Sequence, residues 1–272
     1  MKPTSKHRVR SVVMILASII MLLPFYYIVV STLKTTQEVS QHPLALPTHL
    51  YLDNYVRVFQ ENNILQSFLN TVYVTAGGVF FTVVIGALAA FPLVYSNTKG
   101  NKFMSLFLLG GFMVPVQASL IPLYLLMAKL RMIDTLTGLI ILALPGAIFC
   151  SFMIQGYMRS IPIALFESAY LEGANLWQIF WKIIFPLLQP ILVTTATFQT
   201  MGIWNDFMTP NIFINSPGKR TLVLTVYSAL SEYSVDWPSF MTLSVIVIIP
   251  MVIFFLFAQK YLVKGLTMGS VK

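Results

Sequence analysis

Charge is what this sequence lacks most. Of its 272 residues only 10% are Asp, Glu, Lys or Arg, while 57% are hydrophobic and the mean hydropathy is +0.79. A soluble globular domain carries roughly 25% charged residues. A chain this apolar cannot keep its surface in water, so its solvent is lipid. Cysteine is nearly absent: Cys150 stands alone, which excludes an intrachain disulfide. Lying inside an apolar run, it reads as a small core residue in a helix. His7, His42 and His49 show no metal-ligand spacing, which argues against a zinc or copper site. No G-x-x-x-x-G-K-[ST] phosphate loop occurs, so the chain cannot cradle nucleotide phosphates in that way. No nucleophile, base and orienter arrangement is visible either. The net charge of +8 is spread singly over short segments rather than gathered on one face, which speaks against a nucleic-acid surface. Repeats, low-complexity tracts and heptads are missing.

Long apolar runs are what the sequence has. About 20 mostly apolar helical residues cross a bilayer, and six segments qualify, at roughly 11–32, 69–95, 103–128, 137–156, 186–206 and 239–260. The first follows Lys2, Lys6, Arg8 and Arg10 like a signal peptide, but it outruns a secretory apolar core and ends in no cleavage site. It reads as a first span that is retained. Pro115 and Pro122 in the third run and Pro145 in the fourth are tolerated where neighbouring helices satisfy the freed carbonyls. Thr194, Thr195, Thr197, Gln199 and Thr200 make the fifth the most polar, so it belongs inside a bundle. Gly86 and Ala90, with Ala76, Gly77 and Gly78, mark close helix packing. The expected fold is therefore all-α, one polytopic membrane domain over 1–272 with its core at about 69–260. With the N-terminus inside, eleven of the seventeen basic residues fall on inside segments, and of the nine acids only Glu167 and Glu172 do. The positive-inside rule then puts both termini in the cytoplasm. Two long outside loops, about 33–68 and 207–238, carry prolines and aromatics and should be ordered at the interface.

The inside segment from Ser160 to Pro190 is the most structured of the connections. Pro162 suits the first turn of a helix after Ser160, and Phe166, Ala169, Tyr170 and Gly173 repeat at helical spacing. Gly173 fits a left-handed helix terminus. Asn175 and Gln178 have the spacing of a capping box, and Leu176, Ile179, Phe180, Ile183 and Ile184 make the stripe of a second helix that ends at Pro186. Periodicity leaves two readings open, an amphipathic connector resting on the membrane and a docking surface.

Residue identity adds to this. Glu167-Ser-Ala-x-x-Glu172-Gly-Ala174, then Ile183 and Pro186-x-x-x-Pro190, resembles the signature loop of ATP-binding-cassette (ABC) importer permeases, with Ser168 and Glu172 where the family has Ala and Asp. Leu46-Pro47 through Asn54-Tyr55, Trp204-Asn-Asp-Phe207 with Pro210, and Gln259 through Gly269 resemble the carbohydrate branch, in the style of the smaller maltose-type permease. The resemblance covers nearly the whole chain. It implies a subunit that catalyses nothing and binds no cofactor, with ATP and Mg held by a partner. It also implies three kinds of partner in a prokaryotic cytoplasmic membrane: a second homologous permease, an ABC ATPase dimer and an extracytoplasmic solute-binding protein. The 160–186 loop would be the coupling helix, with Phe166, Glu167, Ala169, Tyr170, Glu172, Gly173 and Ala174 contacting the ATPase, and Gly265 to Lys272 reaching the same dimer. Trp204, Asn205 and Asp206 are candidates for the substrate pathway, and equally for interface and cap residues. Tyr227 and Trp237 could stack on sugar rings or anchor at the interface. The expected activity is inward transport of a sugar or oligosaccharide by alternating access. The competing solutes are a glycerol-phosphate type or an amino sugar. A channel or membrane enzyme working without an ATPase would need an intramembrane acid or histidine cluster.

Overall fold

Prolines mark some of the breaks in this chain and leave other helices intact. The computed structural model describes the backbone of residues 5–96, 98–232 and 236–268, with side chains described over 10–96, 98–228 and 236–261. Among these residues the structure is helical, with no strand. Three helices are long and apolar enough to cross a bilayer: α1 (Ser5–Thr32), α4 (Ile64–Tyr95) and α15 (Trp237–Met268). Pro24, Pro92 and Pro250 lie within them without breaking them.

The third, fourth and fifth apolar runs are bent pairs rather than straight rods. α5 (Lys99–Phe112) and a 3-10 turn leading into α6 (Leu120–Lys129) meet at 89°. Pro115 sits at the break in an extended conformation, φ −60° and ψ 128°, and has no N–H to continue the ladder. α7 (Leu136–Ala143) and α8 (Gly146–Met158) meet at 40° around Pro145. The segment Leu176–Leu187 and α12 (Gln189–Trp204) meet at 76°. Counting each bent pair once gives up to six spans, near the positions the hydropathy predicts, except that the fifth span begins at Leu176, inside the connecting segment, rather than near 186.

The chain divides into two compact units, 1–64 with 225–252, and 65–224 with 253–272. In the first, α1 buries Val30 near its end but leaves its apolar side chains exposed from Val12 to Tyr26, Met21 at 75%. Side chains of that kind require lipid or another membrane helix as cover. The stretch after α1 is ordered through α2 (Thr36–Gln41) and α3 (Asp53–Glu61). Lys34 is fully buried there, its Nζ donating to the His42 carbonyl at 2.8 Å. Asn54 Nδ2 donates to the carbonyls of Thr32 and Lys34, and Arg57 pairs with Asp236 and donates to Ser239.

The second unit holds the main core. Val83, Ala87, Ala90, Cys150, Ile154, Met158, Ile179, Phe180 and Ile184 pack into one buried cluster. Gly86 lets α4 and α8 close up: a Cβ there would stand 2.5 Å from Cys150 Cβ and 3.0 Å from the Ala147 carbonyl oxygen. Threonines make α12 fit to be buried, because their hydroxyls turn back on their own helix. Thr194, Thr195, Thr197 and Thr200 donate to Pro190, Ile191, Val193 and Ala196. Further along, α13 (Met208–Phe213) and α14 (Leu222–Glu232) occupy most of the described part of the 207–238 connection.

Candidate functional site

The 160–190 segment folds as a helix, a tight turn and a second helix, and its hydrogen bonds follow from its residue types. α9 (Ile163–Leu171) starts one residue later than expected, with Pro162 just ahead of the first turn. Ser160 does not cap it, since its hydroxyl donates back to the Tyr157 carbonyl. At the other end Gly173 takes φ +86°, a left-handed conformation that costs a residue with a Cβ about 1–2 kcal/mol. Gly173 N–H then donates to the Tyr170 carbonyl, and Ala174 N–H to the Ala169 carbonyl, each at 3.1 Å. This pair of bonds is a Schellman ending. Asn175 immediately starts the next helix: its Oδ1 accepts from Gln178 N–H at 2.9 Å, while Gln178 Oε1 accepts from Asn175 N–H at 3.0 Å. A helix stop and a helix start are thus joined through Ala174.

The second helix is α10 (Leu176–Ile179), a π turn over Phe180–Ile184, and α11 (Phe185–Leu187). Phe185 N–H donates to the Phe180 carbonyl five residues back. Pro186 has no N–H to restore the α register. The widened turn puts Phe180 and Ile184 both in the core, 1% and 0% exposed.

An aromatic seam fastens the hairpin to the end of α4. Phe166 stacks on Tyr95 with centroids 4.9 Å apart and lies 6.1 Å from Phe91, which also meets Phe180 at 5.3 Å. Ala169 is buried beneath them. Phe91, Tyr95, Phe166, Trp177 and Phe180 line an open apolar pocket of about 260 Å³. Of the predicted coupling residues, then, Phe166 and Ala169 hold the hairpin to the bundle, whereas Glu167, Tyr170, Glu172 and Gly173 are exposed. Of the apolar residues on the free side, periodicity singled out Leu176 and missed the others. Leu171 is 86% exposed and Trp177 64%, with Ile163, Leu165 and Leu176 also exposed. An apolar surface of this size next to two carboxylates has the composition of an interface core with a polar rim. The clue in the sequence was that Leu171 falls off the Phe166–Ala169–Gly173 stripe. The backbone of α15 runs to Met268, and the remainder of the predicted 265–272 contact, with its side chains, lies outside the described residues.

A second candidate region lies at the far end of α12. Trp204 is buried, edge-on to Phe68 at 6.0 Å. Asn205 is exposed at the helix end, its Nδ2 donating to the Met201 carbonyl. Asp206 Oδ1 accepts from Thr209 N–H at 3.1 Å. The structure does not bring the three together: Asp206 lines a cleft of about 190 Å³ with Thr75, Gln199 and Thr209, and neither Trp204 nor Asn205 belongs to its lining. Tyr227 and Trp237 are half-exposed and line neither pocket. Nearby, Asp134 takes φ 57° and accepts from Asn215 N–H, Ser216 N–H and hydroxyl, and Lys219 Nζ. Desolvation alone would raise its pKa, but the Ser216, Asn215 and Lys219 hydrogen bonds outweigh that and hold the carboxyl well below the usual range. Sequence reasoning missed this clamp, since Asp134 and Ser216 are brought together only by the fold.

Comparison with known proteins decides what such a molecule is. Residues 82–268, which include both helices of the hairpin, match the family described as binding-protein-dependent transport system inner membrane component. The chain belongs to this family. As a member, the permease is a transport subunit embedded in a membrane. It is 33% identical over 259 residues to AmyC of Thermoanaerobacterium thermosulfurigenes, named a probable starch degradation products transport system permease; 95% of this chain and 94% of that one are covered. It is also 33% identical over 267 residues to the multiple sugar-binding transport system permease MsmG of Streptococcus mutans, covering 96% and 95%. The permease shares its fold with a chain of a bacterial ABC transporter involved in alginate import, with a TM-score of 0.84 and 23% identity over 96% of this chain and 99% of the other.

Proposed function

We propose that this permease is a subunit of an ABC importer that moves a neutral sugar or oligosaccharide inward across a prokaryotic cytoplasmic membrane. The relatives named for starch degradation products and for multiple sugars support the solute class. The family's description as binding-protein-dependent supports an extracytoplasmic solute-binding protein as one partner. A second homologous permease would cover exposed helix faces such as that of α1. An ATPase dimer would hold ATP and Mg. Both termini are assigned to the cytoplasm on the distribution of basic residues, so the 160–186 loop faces the same side as the ATPase.

The observation that carries this reading is the hairpin itself. It is gripped by the bundle through Phe166, Ala169 and Phe180, and it presents Leu171, Tyr170, Glu167 and Glu172 outward. A short element locked to the ends of α4 and α8 moves with them as a rigid body. Force applied to its free side by an ATPase that opens and closes is therefore transmitted to the spans. Two packings of the bundle, biased by the ATPase, then give alternating access. Glu167 and Glu172 offer carboxylates to basic groups across that contact, and Ala174 keeps the turn short. The test is co-purification from mild detergent. An ATPase subunit retained by the wild-type permease and lost with Gly173→Pro is the expected result. Retention of the ATPase and normal uptake by that variant would remove the coupling role.

A further inference from the structure

One helical threonine in the second unit departs from the pattern of six others. Thr71, Thr82, Thr194, Thr195, Thr197 and Thr200 each donate to the carbonyl four residues back in their own helix. Thr75, on α4, does not: it is 6% exposed and its Oγ1 has no hydrogen-bond partner among the described residues. Leaving a buried hydroxyl unpaired costs about 1–3 kcal/mol, and Thr75 lines the 190 Å³ cleft. Gln199, across the cleft, spends its amide nitrogen on the Gly146 carbonyl and Cys150 Sγ. Its Oε1 has no partner among the described residues. Asp206 uses Oδ1 on Thr209 N–H and retains Oδ2. The rest of the wall is mixed: Thr71, Thr209 and Thr221 beside apolar Val74, Leu139, Leu142 and Ile203, and no Lys or Arg lines it.

We infer that this cleft is a binding site, within this subunit, for a neutral sugar ring passing through the importer; the inference rests on the importer function proposed above. A pyranose presents hydroxyls around its edge and C–H groups on its faces. Thr75 Oγ1 can donate to or accept from a hydroxyl, while Gln199 Oε1 and Asp206 Oδ2 accept. Val74, Leu142 and Ile203 supply surface for the ring face. Pockets for drug-sized ligands run to about 300–1,000 Å³, so a cleft of about 190 Å³ suits one ring, or one end of a chain, rather than a whole oligosaccharide. A carboxylate without a neighbouring cation repels uronates and sugar phosphates, which sets the class as uncharged.

The assembled transporter, reconstituted with its binding protein in phospholipid-only proteoliposomes free of glycolipid headgroups, provides the test. Uptake of labelled maltotriose, raffinose and arabinotriose is measured beside ATP hydrolysis. With Thr75→Val, uptake should fall at least fivefold while hydrolysis stimulated by the loaded binding protein stays within twofold of wild type. Thr75→Ser should restore uptake. A Thr75→Val variant that transports within twofold of wild type overturns the site and leaves the importer function standing. A wild-type complex that moves none of the three sugars with ATP overturns the importer function, and the site with it. Independently, Thr75→Cys in a Cys150→Ala background should be protected from a small methanethiosulfonate by raffinose or maltotriose and not by glucuronate. Equal protection by glucuronate, or none by either neutral sugar, would overturn the assignment.

Discussion

Replacing Gly173 isolates the contribution of one backbone conformation to the proposed coupling. A Cβ built on Gly173 meets nothing within 4 Å, and the residue sits at φ +86°. The whole cost of Gly173→Ala is therefore conformational, about 1–2 kcal/mol, a factor of roughly 5–30 in the ratio of formed to unformed turn. Asn tolerates the left-handed region better and should lose less. Pro cannot reach a positive φ, removes the N–H that bonds to Tyr170, and disfavours the φ −74°, ψ 1° conformation of Glu172. The predicted order of sugar uptake in proteoliposomes is wild type, then Asn, then Ala several-fold lower, with Pro inactive. Stimulated ATP hydrolysis should follow the same order. Expression and thermal stability of the permease should barely change, since the position is exposed and open. Equal activity for Ala and Pro, or full activity for Pro, would refute the reasoning.

Other expectations concern the docking face, the packing and the Asp134 clamp. Leu171→Glu should leave the melting temperature of the isolated permease unchanged, because the side chain is 86% exposed, while weakening ATPase co-purification at least tenfold. Asn175→Ala removes a capping box and should cost about 1 kcal/mol of local stability, read as faster amide exchange over 174–180. Gly86→Ala forces a Cβ to within 2.5 Å of Cys150 Cβ and should destabilise the permease by about 1–3 kcal/mol, with partial recovery by Cys150→Gly; both are read from thermal unfolding in detergent. The folded-state pKa of Asp134 lies below its ordinary 3.8. Its contribution to stability is therefore complete above that value and lost as pH falls towards the folded pKa. Asp134→Asn should lower stability at pH 7 and flatten its decline in acid.

Much of this molecule is visible in its sequence because lipid imposes one strong rule, that about 20 apolar residues make a span. The run positions follow directly, as do the left-handed Gly173 and the Asn175–Gln178 box, since each depends on residues close in sequence. The bends were less legible. Pro115 and Pro145 lie at breaks whereas Pro92 and Pro250 do not, and the difference depends on what packs around each one. Ser160 and Pro162 show a boundary error of one residue where two cap chemistries compete. The division of labour inside the signature loop was hidden as well. Phe166 and Ala169, expected among the docking residues, pack against the bundle, and Leu171 stands exposed. Trp204, Asn205 and Asp206 read as a group, yet consecutive residues at a helix end point in different directions and only Asp206 reaches the cleft. Thr75 carried no local signal, because the cleft at its unpaired hydroxyl is built largely by residues distant in sequence, such as Leu142, Gln199 and Asp206.

The proposed coupling role is tested most directly by placing a photo-reactive benzoylphenylalanine at Leu171 in the assembled complex and irradiating it. A covalent product with the ATPase subunit, diminished by Gly173→Pro, is the predicted outcome. Adducts with lipid or binding protein alone, or labelling of position 171 by an impermeant reagent added from the external side, would contradict it.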